Sequence, residues 1–140
     1  MADEIPNPSS YMTPAWPIES IPDKDQLYMR VHRMWLRPNN GVSPGVFQDR
    51  ENMEGMQPGM STDWEKYSTP TESKNRSKDP TKNGIIRMQA GKIRKVPGQS
   101  VEHKPLPENR AHTEVYGDKD DPEVRLKFTR IYEWVIPLDD

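Results

Sequence analysis

The sequence predicts an α+β domain: a small mixed or antiparallel sheet with a carboxy-terminal helix packed on it, preceded by an extended amino-terminal arm. Three observations lead there. Leu27, Met29 and Val31 alternate with Tyr28, Arg30 and His32, the period of a half-buried strand. Asp121-Pro122-Glu123 supplies a capping acid, a proline at the first helical position and a second acid, and apolar residues follow it at helical spacing. The first 25 residues hold five prolines and no apolar period, which rules out regular helix or central strand.

Length and composition bound the rest. A chain of 140 residues has room for one modest core. With 31% hydrophobic and 30% charged residues and 15 prolines, the apolar side chains must be concentrated in part of it. Residues 1–25 therefore read as a flexible proline-rich arm and 26–140 as a single domain. Tyr11, Trp16 and Ile18 are unusual in a solvating tail and suit pinning the arm to the domain or to a partner.

Along the domain, the strand at 27–36 is followed by a turn at Pro38-Asn39-Asn40-Gly41, then by Val42 to Phe47, which fits an edge strand or a single helical turn. Gly55, Pro58 and Gly59 make 48–60 a loop whose methionines Met53, Met56 and Met60 can fold over a core. Ser61 or Thr62 then caps an expected short helix carrying Trp64 and Tyr67 on one side. The Ser/Thr/Lys/Pro-rich run from 68 to 83 reads as a mobile loop. Gly84 to Met88 suggests a buried strand, 90–96 one or two helical turns, and 99–104 and 111–117 two further strands. In the last segment Val124, Phe128, Ile131 and Val135 form one apolar stripe, so the helix begun at Pro122 is expected to run to Pro137.

Several chemistries are excluded. Without cysteine there are no disulfides, thiolate metal sites or cysteine nucleophiles. Neither a Walker A sequence nor a Gly-x-Gly-x-x-Gly, Gly-x-Ser-x-Gly or His-Glu-x-x-His pattern occurs. No cofactor is implied, and the histidines lack local metal-ligand spacing, so no metal site is expected. With no run of about 18 apolar residues and no basic-then-apolar start, the expectation is a cytoplasmic protein that does not enter membranes.

Charge is unevenly spread. Residues 71–104 carry nine bases and three acids, whereas both ends are acidic. Lys74, Arg76, Lys78, Lys82, Arg87, Lys92, Arg94 and Lys95 make segment 74–95 the candidate polyanion site, with nonspecific nucleic acid as its ligand. The same run also reads as a solvated face, and the aromatics Trp35, Trp64 and Tyr67 do not interleave with its bases. His32 and His112, each in a predicted strand, are the candidate general acid and base if those strands are neighbours. Arg30, on the strand face of His32, would stabilise an oxyanion or phosphate.

Leu27-Tyr28-x-Arg30-Val31-His32, Ser43-x-x-Val46-Phe47, Met60-Ser61-x-Asp63 and Pro107-x-Asn109-x-Ala111-His112-x-x-Val115-x-Gly117 together resemble a small uncharacterised bacterial protein family. That resemblance implies a bacterial or phage origin and singles out His32 and His112 over His103. More loosely, the chain is similar to ADP-ribosyltransferase-like domains, in which a first-strand Arg or His, a Ser on a following strand and a later acid hold the nicotinamide dinucleotide. The likeness assigns those roles to Arg30 or His32, Ser61 and Glu114. On sequence the leading function is a binding module whose arm engages a protein partner. The alternatives are a metal-independent histidine acid-base enzyme acting on a nucleotide or phosphodiester, including the ADP-ribosyltransferase-like case, and nucleic-acid binding through the basic segment.

Overall fold

A computed structural model describes residues 16–51 and 57–138. β1 (Gln26–His32) is the alternating strand that the pattern predicts, with Leu27, Met29 and Val31 buried at 0%, 7% and 0% exposure. A 3-10 turn (Arg33–Trp35) follows, then a small hairpin of β2 (Leu36–Arg37) and β3 (Gly41–Val42). Asn39 and Asn40 turn the hairpin with positive φ, a conformation that asparagine tolerates better than most residues. The segment left open between strand and turn divides between the two: Val42 ends β3, and Pro44–Val46 is a 3-10 turn capped by the Ser43 hydroxyl.

β4 (Met60–Trp64) occupies the stretch expected to be a short helix. Period 2 wins there because Met60, Thr62 and Trp64 bury on one side while Ser61 and Asp63 point to the other. The expected mobile loop at 68–83 instead contains α1 (Pro70–Asn75), closed by a reciprocal capping box between Thr69 and Glu72, and a 3-10 turn (Pro80–Lys82). Thr-Pro-x-Glu is a helix-start signal inside a polar, low-hydrophobicity run.

β5 (Asn83–Gln89), α2 (Ala90–Arg94), β6 (Ser100–His103) and β7 (His112–Tyr116) follow. α3 (Pro122–Phe128) starts where predicted, with the Asp121 carboxylate accepting from the Glu123 N–H at 2.9 Å. It stops at Phe128, however, and β8 (Tyr132–Ile136) replaces the rest of the expected helix. Tyr, Trp, Val and Ile favour extended backbone, and the open edge of β5 provides a partner, with Met88 opposite Tyr132 and Ile86 opposite Trp134.

Six strands form one antiparallel sheet in the order β6-β7-β4-β1-β5-β8. The core lies on one face, where Leu27, Val31, Trp64, Ile86, Met88 and Val115 meet Ile93 of α2, Val124 and Phe128 of α3, and Phe47. Phe47 and Phe128 stack at 5.2 Å. α1 covers part of the opposite face, above β1 and β5. The half of that face formed by β4 and β7 carries the polar residues Ser61, Asp63, His112 and Glu114.

The described part of the arm, residues 16–25, packs against the domain on the core side. Ile21 is buried at 5% exposure, and the Ala90 and Gly91 N–H groups donate to the Asp25 and Asp23 carbonyls at 2.8 Å each. The Trp64 indole N–H donates to Asp25 Oδ2 at 2.9 Å. The Glu19 carboxylate accepts from Tyr67 Oη and pairs with Lys66 at 2.7 Å, which holds its pKa below the usual carboxylate range. The Arg110 guanidinium lies 4.8 Å over the Trp16 ring. Tyr11, Met53 and Met56 lie outside the described residues.

Candidate active site

The ladder between β1 and β4 contains only Leu27 opposite Trp64 and Tyr28 opposite Asp63. The Glu65 N–H bonded to the Gln26 carbonyl at 3.0 Å sets its phase. Every second residue of an antiparallel strand directs its backbone groups to the same neighbour. Arg30 and Ser61, next in that series, therefore turn their N–H and C=O groups toward each other across a gap where the ladder has ended. A cavity of about 230 Å³ lies there, lined by Arg30, His32, Trp35, Gly59, Met60 and Ser61 among its walls. Arg30 and Ser61 also line a second cavity of about 360 Å³, together with Arg76, Glu108, Asn109 and His112.

Two side chains of the second cavity's wall, Ser61 and His112, form a chain of hydrogen bonds with Glu114 buried behind them. His112 Nε2 is 2.5 Å from Glu114 Oε2, and His112 Nδ1 is 3.4 Å from Ser61 Oγ. The spacing follows from the sheet: His112 and Glu114 are two apart on β7 and share a face, and Ser61 sits opposite Glu114 on β4. Glu114 is fully buried and His112 is 6% exposed. A Cβ built on Gly59 would stand 2.5 Å from Glu114 Oε1, so the carboxylate's position requires glycine there.

Beside them, buried Asp63 gathers the cations. Its Oδ2 accepts from Arg76 Nη1 at 3.0 Å and lies 3.6 Å from Arg30 Nη1, and its Oδ1 accepts from Asn109 Nδ2 at 2.9 Å. Arg30 also donates to the Ser73 carbonyl of α1 at 3.0 Å. Both guanidiniums are thereby held at the cavity wall while their side chains stay 32% and 28% exposed. Fixed guanidiniums that still reach solvent suit phosphate or carboxylate recognition.

His32 and His112 do not converge as an acid and base pair. The His32 imidazole lines the first cavity, but its Nδ1 accepts the Met34 N–H at 3.0 Å and caps the following turn. His103 is structural: its Nδ1 accepts from the Glu19 N–H at 3.0 Å, its Nε2 donates to the Arg110 carbonyl at 2.7 Å, and it packs edge-on to Trp64. His112 alone joins a carboxylate and a hydroxyl. Among the described residues, no group of three or more His, Asp or Glu side chains is placed to hold a metal ion. No helix among them is long and apolar enough to cross a membrane.

The basic segment 74–95 is dispersed. α1 and α2 lie on opposite faces of the sheet, so Lys74, Arg76 and Lys78 are separated from Lys92, Arg94 and Lys95. Several of the charges are used internally. Lys74 donates to the Asn83 carbonyl, Lys82 pairs with Asp79 at 3.7 Å, Arg87 with Glu133 at 3.4 Å, and Arg94 with Asp23 at 2.6 Å. Arg76 is the member of the set that reaches the cleft, and Asp63 and Asn109 are site residues to which neither the charge distribution nor the histidine positions point. For Asp63 the signal was present in the Ser61-x-Asp63 spacing, which places both residues on one strand face. Compared with protein-family models, with curated proteins and with solved structures, the chain matches none.

Proposed function

We propose that this chain is an enzyme of the ADP-ribosyltransferase-like kind that takes nicotinamide adenine dinucleotide as substrate and cleaves its nicotinamide-ribose bond. The observation that carries this proposal is that Arg30, Ser61 and Glu114 stand on the adjoining strands β1, β4 and β7, with Glu114 buried behind the cavity wall. Ser61 sits opposite Glu114 and shares both cavities with Arg30. The likeness assigns dinucleotide binding to Ser61, Glu114 and either Arg30 or His32.

Each group has a part that follows from its chemistry. The Arg30 guanidinium suits the pyrophosphate, to which a planar fork of donors binds more specifically than an ammonium. The facing backbone groups of Arg30 and Ser61 offer donors and acceptors where the β1–β4 ladder ends, which complements a carboxamide. Departure of nicotinamide leaves positive charge on the ribose, as in glycoside cleavage. A carboxylate fixed in a poorly solvated site, as Glu114 is, stabilises such charge with little reorganisation. The Ser61 hydroxyl is placed to hold a ribose hydroxyl.

A protein-partner role for the arm has less support, because Ile21 and Glu19 bind the domain itself. The test is release of free nicotinamide from the dinucleotide, followed by chromatography. Glu114→Gln is expected to lower the rate on the order of 100-fold, and Arg30→Met to raise KM. Wild-type protein that neither releases nicotinamide nor binds the dinucleotide at about 1 mM, the upper end of ordinary KM values, would overturn the proposal.

A further inference from the structure

We infer that Glu114, His112 and Ser61 form a proton relay that activates the acceptor of the transferred group, and that the acceptor is a hydroxyl compound arriving through the second cavity. This rests on the dinucleotide reading of the same site. The likeness gave His112 no role, so the inference comes from the hydrogen-bond chain alone.

The direction of the relay follows from its geometry. Glu114 Oε2 stands 2.5 Å from His112 Nε2, so a neutral imidazole carries its proton on Nε2 and donates it to the carboxylate. The lone pair is then on Nδ1, which faces Ser61 Oγ at 3.4 Å, and both side chains line the second cavity. A carboxylate that sets the tautomer, an imidazole that takes the proton and a hydroxyl at the far end follow the general logic of a catalytic triad.

The step balances as follows. The ribose C1′–N bond breaks and its electron pair leaves with nicotinamide. The acceptor oxygen forms the C1′–O bond, and its proton passes, directly or through Ser61 Oγ, to His112 Nδ1, from which solvent removes it. Charged groups that face His112 are Glu114 on its own strand, Asp63 across the β4–β7 pair, Glu108 in the preceding loop, and Arg30 and Arg76 around the second cavity. A neutral imidazole is too weak a base to take a proton from a guanidinium, whereas the proton of a hydroxyl can pass to it as the oxygen bonds to C1′.

The experiment uses the full chain with the dinucleotide and either glycerol or agmatine, the latter a guanidinium probe. Products are separated by mass. Glycerol is expected to yield an O-linked ADP-ribosyl adduct and agmatine none. His112→Ala is expected to reduce adduct formation on the order of 100-fold, the usual scale for a general base. Added imidazole should restore it, and pyrrole, of similar shape but not basic, should not. Rescue by pyrrole as well as by imidazole, or an agmatine adduct, would each overturn the relay while leaving nicotinamide release intact. Wild-type protein that releases no nicotinamide at all would instead remove the dinucleotide reading, and the relay with it.

Discussion

Asp63→Asn tests whether the cleft depends on one buried carboxylate. Asp63 is 3% exposed and holds Arg76 at 3.0 Å, Arg30 at 3.6 Å and Asn109 at 2.9 Å. The amide has nearly the same volume, so no cavity forms. It replaces an acceptor oxygen with an NH2 that must face either a guanidinium or the Asn109 amide, both donors. Removing one partner from a fully buried ion pair costs about 3–5 kcal/mol. Here the two arginine side chains stay 32% and 28% exposed and recover some hydration, which reduces the expected loss to about 2–3 kcal/mol. For a domain of this size that corresponds to a fall in Tm of about 8–12 °C. Calorimetric unfolding at neutral pH measures it. In the Asp63→Asn background, Arg76→Met should cost at least about 1 kcal/mol less than it does alone, since the two residues share an interaction. A fall in Tm of less than about 2 °C, or additive effects of the two changes, would show that the carboxylate does not organise the arginines.

Two further outcomes concern the arm. Ile21→Ala should cost about 2–4 kcal/mol in urea unfolding, because it empties a core position that is 5% exposed, and a loss below about 1 kcal/mol would return this segment to the status of a loose tail. Glu19 has its pKa lowered from 4.5, first by its hydrogen bonds from Lys66 and Tyr67. A depressed carboxylate stabilises the fold fully above its unfolded value, and that contribution is lost as pH falls through the lower folded value. Stability of Glu19→Gln should therefore decline less steeply than that of the wild type below about pH 4.5, and parallel acid limbs would contradict the bonding seen here.

Much of what the sequence determined is local. Alternation over Leu27 to Val31 specified β1 because side chains two apart must share a face. Asp121-Pro122-Glu123 specified the start of α3 because the cap, the proline and the first-turn acid all act within one turn. The Thr69–Glu72 capping box is equally local, and it was hidden only by the polar composition around it. The end of α3 was not legible, since Val124, Phe128, Ile131 and Val135 fit a helical stripe on their own. Only the unpaired edge of β5 makes Tyr132–Ile136 a strand.

The site belongs wholly to that second kind of information. Arg30, Ser61 and His112-x-Glu114 were visible as candidates, yet nothing in their separation along the chain says that β1, β4 and β7 lie side by side. That order is decided by which strand edges close the core on the face of Trp64, Phe128 and Leu27. Once it is set, the two-residue period directs Ser61, Asp63, His112 and Glu114 away from the core onto one face. The same assembly sends α1 and α2 to opposite faces and so divides the basic segment that looked continuous in the sequence. Strand pairing is a long-range choice among competing edges, and its energy comes from the finished core rather than from any local stretch of residues.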